Sequence, residues 1–224
     1  MKKSKVVLVF LFLVLFITIW MVIHGVSSKE EEFISEVNEY LDQKYPIKMK
    51  LINEPKYSLK SGTYSVSVSP EGMEYITFAA YQSSNNKEEY SDRFSYEYWT
   101  YEANNELKKI IKEANFQYEV TGKFIMIGGS SQSILYEGSM PKPYQEVKSY
   151  LGSGTSLHIN IDNSFNDNDM ETLYYFISLI KQQEFQFEWM SITFNGDKKN
   201  FRFNFDEINS LVISSDLKIL MMNY

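Results

Sequence analysis

The apolar positions of this chain change period several times, and the longest feature has no period at all. Val6–Val26, VVLVFLFLVLFITIWMVIHGV, is an unbroken run of 21 residues between Met1-Lys2-Lys3-Ser4-Lys5 and Ser27-Ser28-Lys29-Glu30-Glu31-Glu32. At about 1.5 Å per residue it matches the roughly 30 Å hydrocarbon core of a bilayer, so the pattern predicts a transmembrane helix over 6–26. From Ser28 the pattern becomes helical, with Ile34, Val37 and Leu41 on one face and Phe33 and Tyr40 widening it, and Tyr45-Pro46 ends it. The period then falls to two. Ile47–Ile52, Thr63–Ser69 and Tyr75–Tyr81 read as strands separated by Ser61-Gly62 and Ser69-Pro70-Glu71-Gly72, an antiparallel meander with one covered face. Tyr90–Ala114 returns to helical spacing through Trp99, Ala103, Leu107, Ile110, Ile111 and Ala114, and is expected to cover that face.

In the second half, Phe116–Ile127 reads as one strand or as a hairpin about Thr121-Gly122, with a break at Gly128-Gly129. Lys142-Pro143 opens a short helix over 144–150, and Leu157, Ile159 and Ile161 alternate with His158, Asn160 and Asp162 as a half-buried strand. Met170, Leu173, Tyr174, Ile177 and Ile180 form the apolar face of a further helix. Asn195-Gly196 lies between the aromatic runs 187–194 and 201–205, a hairpin signal, and the tail 206–224 is compatible with helix or strand. The sum is an α+β chain. A cytoplasmic N-terminus (1–5) and a transmembrane helix (6–26) precede two small α+β lobes, 29–116 and 117–224, with mainly antiparallel sheets.

Charge gives the anchor a direction. Lys2, Lys3 and Lys5 precede the run and no acid does, so the positive-inside rule places the N-terminus in the cytoplasm and the rest outside, a single-pass protein of the cell membrane. A cleaved signal peptide is the competing reading, with Val26-Ser27-Ser28 as the cleavage region, but the run exceeds the 7 to 15 apolar residues usual for one. Net charge is −7 for the chain and −10 once those three lysines are set aside, which disfavours nucleic acid as a partner. The absence of cysteine removes disulfides, thiolate chemistry and cysteine-ligated metals. No cofactor is expected.

Several of these segments resemble the YfjL-like proteins. They are the lysine-flanked anchor, Glu39-Tyr40-Leu41 to Lys44-Tyr45-Pro46, Gly62-Thr63-Tyr64 to Ser69-Pro70, Ile76-Thr77-Phe78, and Tyr90-Ser91-Asp92-Arg93-Phe94. The likeness covers roughly 1–116. It implies a small membrane-anchored protein of Gram-positive bacteria with no assigned chemistry, and it transfers no site.

Candidate chemistry is sparse. Asp162-Asn163-Ser164-Phe165-Asn166-Asp167-Asn168-Asp169 is the one metal-like stretch, with Asp162, Asn166, Asp167 and Asp169 as candidate ligands. Laid on a calcium loop it places Asp167 where glycine is required and Leu173 where a bidentate Glu is required, so a helix cap from Asn166 or Asn168 is the simpler reading. Ser178-x-x-Lys181 and Ser215-x-x-Lys218 match a penicillin-recognising pattern without its companion motifs. His158 lies outside the anchor, unlike His24, and no nucleophile elbow accompanies it. The aromatic run Tyr90, Phe94, Tyr96, Tyr98, Trp99 and Tyr101 is a candidate stacking platform, weighed against burial in a core. The expected function is therefore a non-enzymatic binding module at the cell envelope, its partner an envelope protein or a wall polymer. A cell-wall hydrolase and a Ca²⁺-dependent adhesin are the alternatives.

Overall fold

A computed structural model describes residues 15–16, 28–126, 140–151 and 154–222. The chain is α+β and divides after Arg93 into two units. The boundary therefore lies before the long helix, where the sequence pattern placed it after residue 116.

The first unit opens with helical residues 28–44 (α1), which bury Phe33, Val37 and Leu41 at four-residue spacing. Five strands follow: β1 (Met49–Leu51), β2 (Lys56–Ser58), β3 (Thr63–Pro70), β4 (Phe78–Gln82) and β5 (Tyr90–Asp92). They pair antiparallel in the order β1-β3-β4-β5, and β2 also pairs with β3, Tyr57 facing Tyr64. The predicted meander, β1-β3-β4, is thus part of a larger sheet. In β3 the alternation holds, with Tyr64, Val66 and Val68 buried. The strand β2 was not predicted, and β5 occupies the start of the stretch 90–114 expected to be helical, because three residues are too few to display a period of two.

A buried carboxylate fastens α1 to this sheet. Asp92, whose side chain is 2% exposed, accepts from Lys44 Nζ (2.7 Å), from Tyr40 Oη (2.7 Å) and, through its other oxygen, from Tyr45 Oη (2.7 Å). The Lys44 ammonium lies 5.2 and 5.4 Å from the Tyr40 and Tyr45 ring centres. A carboxylate leaves water at tolerable cost only when its lone pairs are filled in this way.

The second unit begins with α2 (Phe94–Ala114), followed by β6 (Val120–Met126), α3 (Tyr144–Val147) and a 3₁₀ turn (Lys148–Tyr150). Then come β7 (Thr155–Ile161), a 3₁₀ turn (Asp167–Asp169), α4 (Met170–Gln182), β8 (Trp189–Phe194), β9 (Lys199–Asn204), α5 (Phe205–Ser210) and α6 (Ser214–Met222). The sheet order is β6-β7-β8-β9, antiparallel except for β7 with β8, which α4 joins as a crossover helix. The sheet is mixed, and its pairing is mainly antiparallel, as the sequence pattern led one to expect. The tail left open between helix and strand is helical, and α5 starts with a capping box between Asn204 and Glu207.

The periodicity of α2 is as predicted, but its destination is not. Trp99, Ala103, Leu107, Ile110 and Ala114 join the core of the second unit, where α2 packs on β6 and α4. Two local features make that seat. Gly122 lies within β6, not in a turn, because a Cβ there would come within 2.6 Å of Ile111 and 2.7 Å of Leu107. Asn104 satisfies the open edge of β6 by accepting from Phe124 N (2.8 Å) and donating to Phe124 O (3.0 Å).

The expected membrane-spanning helix, and the single-pass localisation with it, requires correction. Among the described residues no helix is long and apolar enough to cross a membrane. Of the 6–26 run only Leu15 and Phe16 are described, so the expected span lies outside the described residues, as do Gly128-Gly129. The described helix of greatest length, α2, carries Glu102, Glu106, Lys108, Lys109, Lys112 and Glu113, charges that hydrocarbon excludes.

Two substitutions test this packing. Gly122→Ala is expected to destabilise the second unit by about 1–3 kcal/mol in urea unfolding, because flexible leucine and isoleucine ends must move and leave their wells. Asp92→Asn presents an amide donor to the Lys44 ammonium and is expected to cost about 2–3 kcal/mol; a loss below about 0.5 kcal/mol would show that the cluster does not hold α1.

Candidate functional site

Within the first unit, a cleft of about 570 Å³ opens between α1 and the sheet. Its α1 side carries Lys29, Glu32, Phe33 and Glu36, which share one helical face. Its floor is Tyr57 of β2 and Tyr64 of β3, neighbours because the two strands pair in register. Gly62, at φ 68°, makes the turn between those strands, and Gln82, Lys87 and Glu88 close the far side.

The aromatic lining is continuous. Ring centres of Tyr57 and Tyr64 are 4.9 Å apart, those of Phe33 and Tyr64 5.5 Å, and those of Phe33 and Tyr90 6.0 Å. Tyr57 is half exposed while Tyr64 and Phe33 are buried, so the group presents one ring to solvent on a fixed base. Behind it, Tyr90 Oη donates to Glu36 Oε2, and Gln82 ties Tyr64 N (3.3 Å) to the Lys87 carbonyl (3.3 Å). The side chains of Lys29, Glu32, Lys87 and Glu88 form no hydrogen bond or ion pair among the described residues. The rim therefore offers both donors and acceptors. Burial and the carboxylate of Glu36 push the Tyr90 phenol up to about 12, and burial with the charge of Glu30 raises Tyr64.

The aromatic residues singled out from the sequence are divided between the two units. Phe94 and Trp99 are fully buried, Trp99 donating from Nε1 to the Lys142 carbonyl (2.8 Å). Tyr96 and Tyr98 are half-buried against the core of the second unit, and Tyr101 alone is exposed there. Tyr90 belongs to the first unit, beside the cleft. Tyr57, the exposed ring of the cleft, lay in no predicted element; its signal was the Ser61-Gly62 turn, which requires a strand on each side.

The candidate metal ligands likewise diverge. Asn166 accepts from Asn168 N (3.0 Å) as a cap, and Asp167 pairs with Lys218. Asp162 is exposed, and Asp169 is half-buried with its carboxyl raised by that burial. Among the described residues no group of three or more His, Asp or Glu is placed to hold a metal. Ser178 donates to the Tyr174 carbonyl four residues back (2.8 Å), and Lys181 reaches the carbonyls of Asn209 and Leu211, so the two do not form a catalytic pair.

His158 lies on the outward face of the second sheet between two hydroxyls, Ser156 Oγ at 3.1 Å from Nε2 and Ser191 Oγ at 3.0 Å from Nδ1. A triad needs a carboxylate on the second nitrogen, where this chain has Ser191. Ser156, at 1% exposure, is closed to a substrate.

No family model matches the chain, and no curated protein matches it. Among solved structures it is similar to the crystal structure of a DUF5037 family protein from Ruminococcus gnavus, at 13% identity over 83% of this chain and 79% of that one, with a TM-score of 0.38. So distant a likeness carries no functional assignment. The YfjL-like resemblance finds no counterpart in these comparisons.

The Tyr90–Glu36 contact is testable through pH. A phenol raised above its ordinary value stabilises the fold fully below about pH 10, and that contribution is lost as pH climbs toward about 12. The stability difference between wild type and Tyr90→Phe, from urea unfolding, is expected to shrink between about pH 10 and pH 12; a constant difference would remove the contact.

Proposed function

We propose that this chain is a non-catalytic binding module that holds a polyhydroxylated, saccharide-like ligand in the cleft of its first unit. The observation that carries this reading is the pairing of an exposed tyrosine ring, backed by two buried rings, with unspent charged groups of both signs at the rim. A sugar ring has an apolar face that lies on an aromatic side chain, and hydroxyls that each donate and accept. A simple cation or anion would favour a rim of one sign, whereas Lys29 and Lys87 oppose Glu32 and Glu88. Gln82 and the Tyr90–Glu36 contact hold the floor in place before any ligand arrives, which lowers the ordering cost of binding. The hydrolase alternative has weaker support, because the His158 cluster lacks a carboxylate and its serines are closed.

The test is an array of neutral and amino-sugar oligosaccharides probed with the full chain, followed by calorimetry on any saccharide retained. Tyr57→Ala is expected to weaken binding about 3- to 10-fold, the usual worth of one aromatic contact, with thermal stability preserved. If no saccharide is retained, or if Tyr57→Ala binds as wild type does, the proposal fails.

A further inference from the structure

The outward face of the second sheet has a charge pattern unlike the rest of the chain. Its strands turn Thr121, Lys123 and Ile125 of β6, Ser156, His158 and Asn160 of β7, Trp189, Ser191 and Thr193 of β8, and Asn200, Arg202 and Asn204 of β9 away from the core. None of these is Asp or Glu, in a protein with 29 acids and a net charge of −7. Strand register then places Lys123, His158, Ser191 and Arg202 in one row across the sheet. Neither Lys123 nor Arg202 has an ion-pair partner among the described residues.

The row converges inward. With strands about 4.8 Å apart, Lys123 and Arg202 start about 14 Å from each other at the backbone. Arg202 leans toward the centre, its Cζ 4.0 Å above the Trp189 ring, and that ring is 4.6 Å from the imidazole of His158 in an edge-to-face arrangement. Burial, Lys123 and Arg202 together hold His158 below its ordinary value, so both cations act on the same spot. The carboxylates nearest this face lie at its rim and are engaged: Glu188 accepts from Gly154 N (3.2 Å), and Glu207 closes the Asn204 capping box.

We propose that this face is a second binding site, independent of the cleft, which takes a multiply charged oxyanion of the phosphate class between Lys123 and Arg202, over His158. Two unpaired cations ask for a ligand with more than one negative oxygen. The two serine hydroxyls already fill both imidazole nitrogens, so His158 acts as a polar floor and the cations supply the attraction. The stack on Trp189 pre-positions the Arg202 guanidinium and reduces what binding must order.

The experiment is an NMR titration of the His158 imidazole in the full chain, its signal identified by loss in His158→Gln, at constant ionic strength so that screening does not change. Inorganic phosphate at millimolar concentration is expected to raise the His158 midpoint by about half a pH unit or more, since an anion between the cations cancels their repulsion. Acetate, with one charge, should raise it less. Lys123→Gln and Arg202→Gln should each raise the midpoint of the ligand-free protein and shrink the phosphate response, while Tyr57→Ala should leave that response intact. No shift with phosphate, an equal shift with acetate, or a full phosphate response in the Lys123→Gln, Arg202→Gln double variant would each overturn the site. Thermal melts of both variants confirm that a lost response is not a lost fold.

Discussion

A helix with one apolar stripe can cover one sheet, and most of this architecture follows from which sheet α2 covers. Its stripe of Trp99, Ala103, Leu107, Ile110 and Ala114 is spent on the second sheet. That choice rests on fit as much as on hydrophobicity. Gly122 lets the leucine and isoleucine of α2 approach the backbone of β6, and Asn104 fills the hydrogen bonds that the strand's open edge would otherwise leave unmet. The first sheet then depends on α1 for its cover.

With one helix over five strands, attachment becomes a local matter in the first unit. At the C-terminal end of α1, Asp92 gathers an ammonium and two phenols, so the helix cannot slide without exposing a buried charge. Nearer its start, α1 touches the sheet through rings, Phe33 on Tyr64 and Tyr90, with Glu36 accepting from Tyr90. The cleft opens beyond these contacts, with Lys29 and Glu32 on its α1 side and Gln82, Lys87 and Glu88 on the far side. A cleft of this kind is a by-product of incomplete cover, floored by aromatic rings. The second sheet shows the complementary case: α2 and α4 are among the helices that share the core of its apolar face, and the polar face carries the cationic row.

Periodicity was a good guide to elements and a poor one to partners. The helices α1, α2 and α4 and the strands β3, β7, β8 and β9 were legible because each is long enough to repeat its period, and Phe33, Val37 and Leu41 or Leu157, Ile159 and Ile161 mark their buried faces plainly. The strands β2 and β5 were invisible at three residues each, and with them went Tyr57 and the true setting of Tyr90. Gly122 left strand and hairpin both open, because glycine in a strand and glycine in a turn look alike in one dimension. The aromatic run from Tyr90 to Tyr101 suggested a single surface, but the chain passes from strand to helix and from one unit to the next within it, which sends its rings to different cores.

The sequence by itself determined the α+β class, the acidic and cysteine-free chemistry, the helical and extended segments, and the hairpin at Asn195-Gly196, because these depend on neighbours within a few residues. Only the tertiary structure decided that β7 and β8 run parallel, that α2 belongs to the second sheet, that Asp92 sits at the centre of three donors, and that Tyr57 meets Tyr64. Each of those depends on contacts between residues far apart in the chain. Such contacts are selected by shape and by the need to satisfy buried polar groups, and neither leaves a periodic trace in the order of the residues.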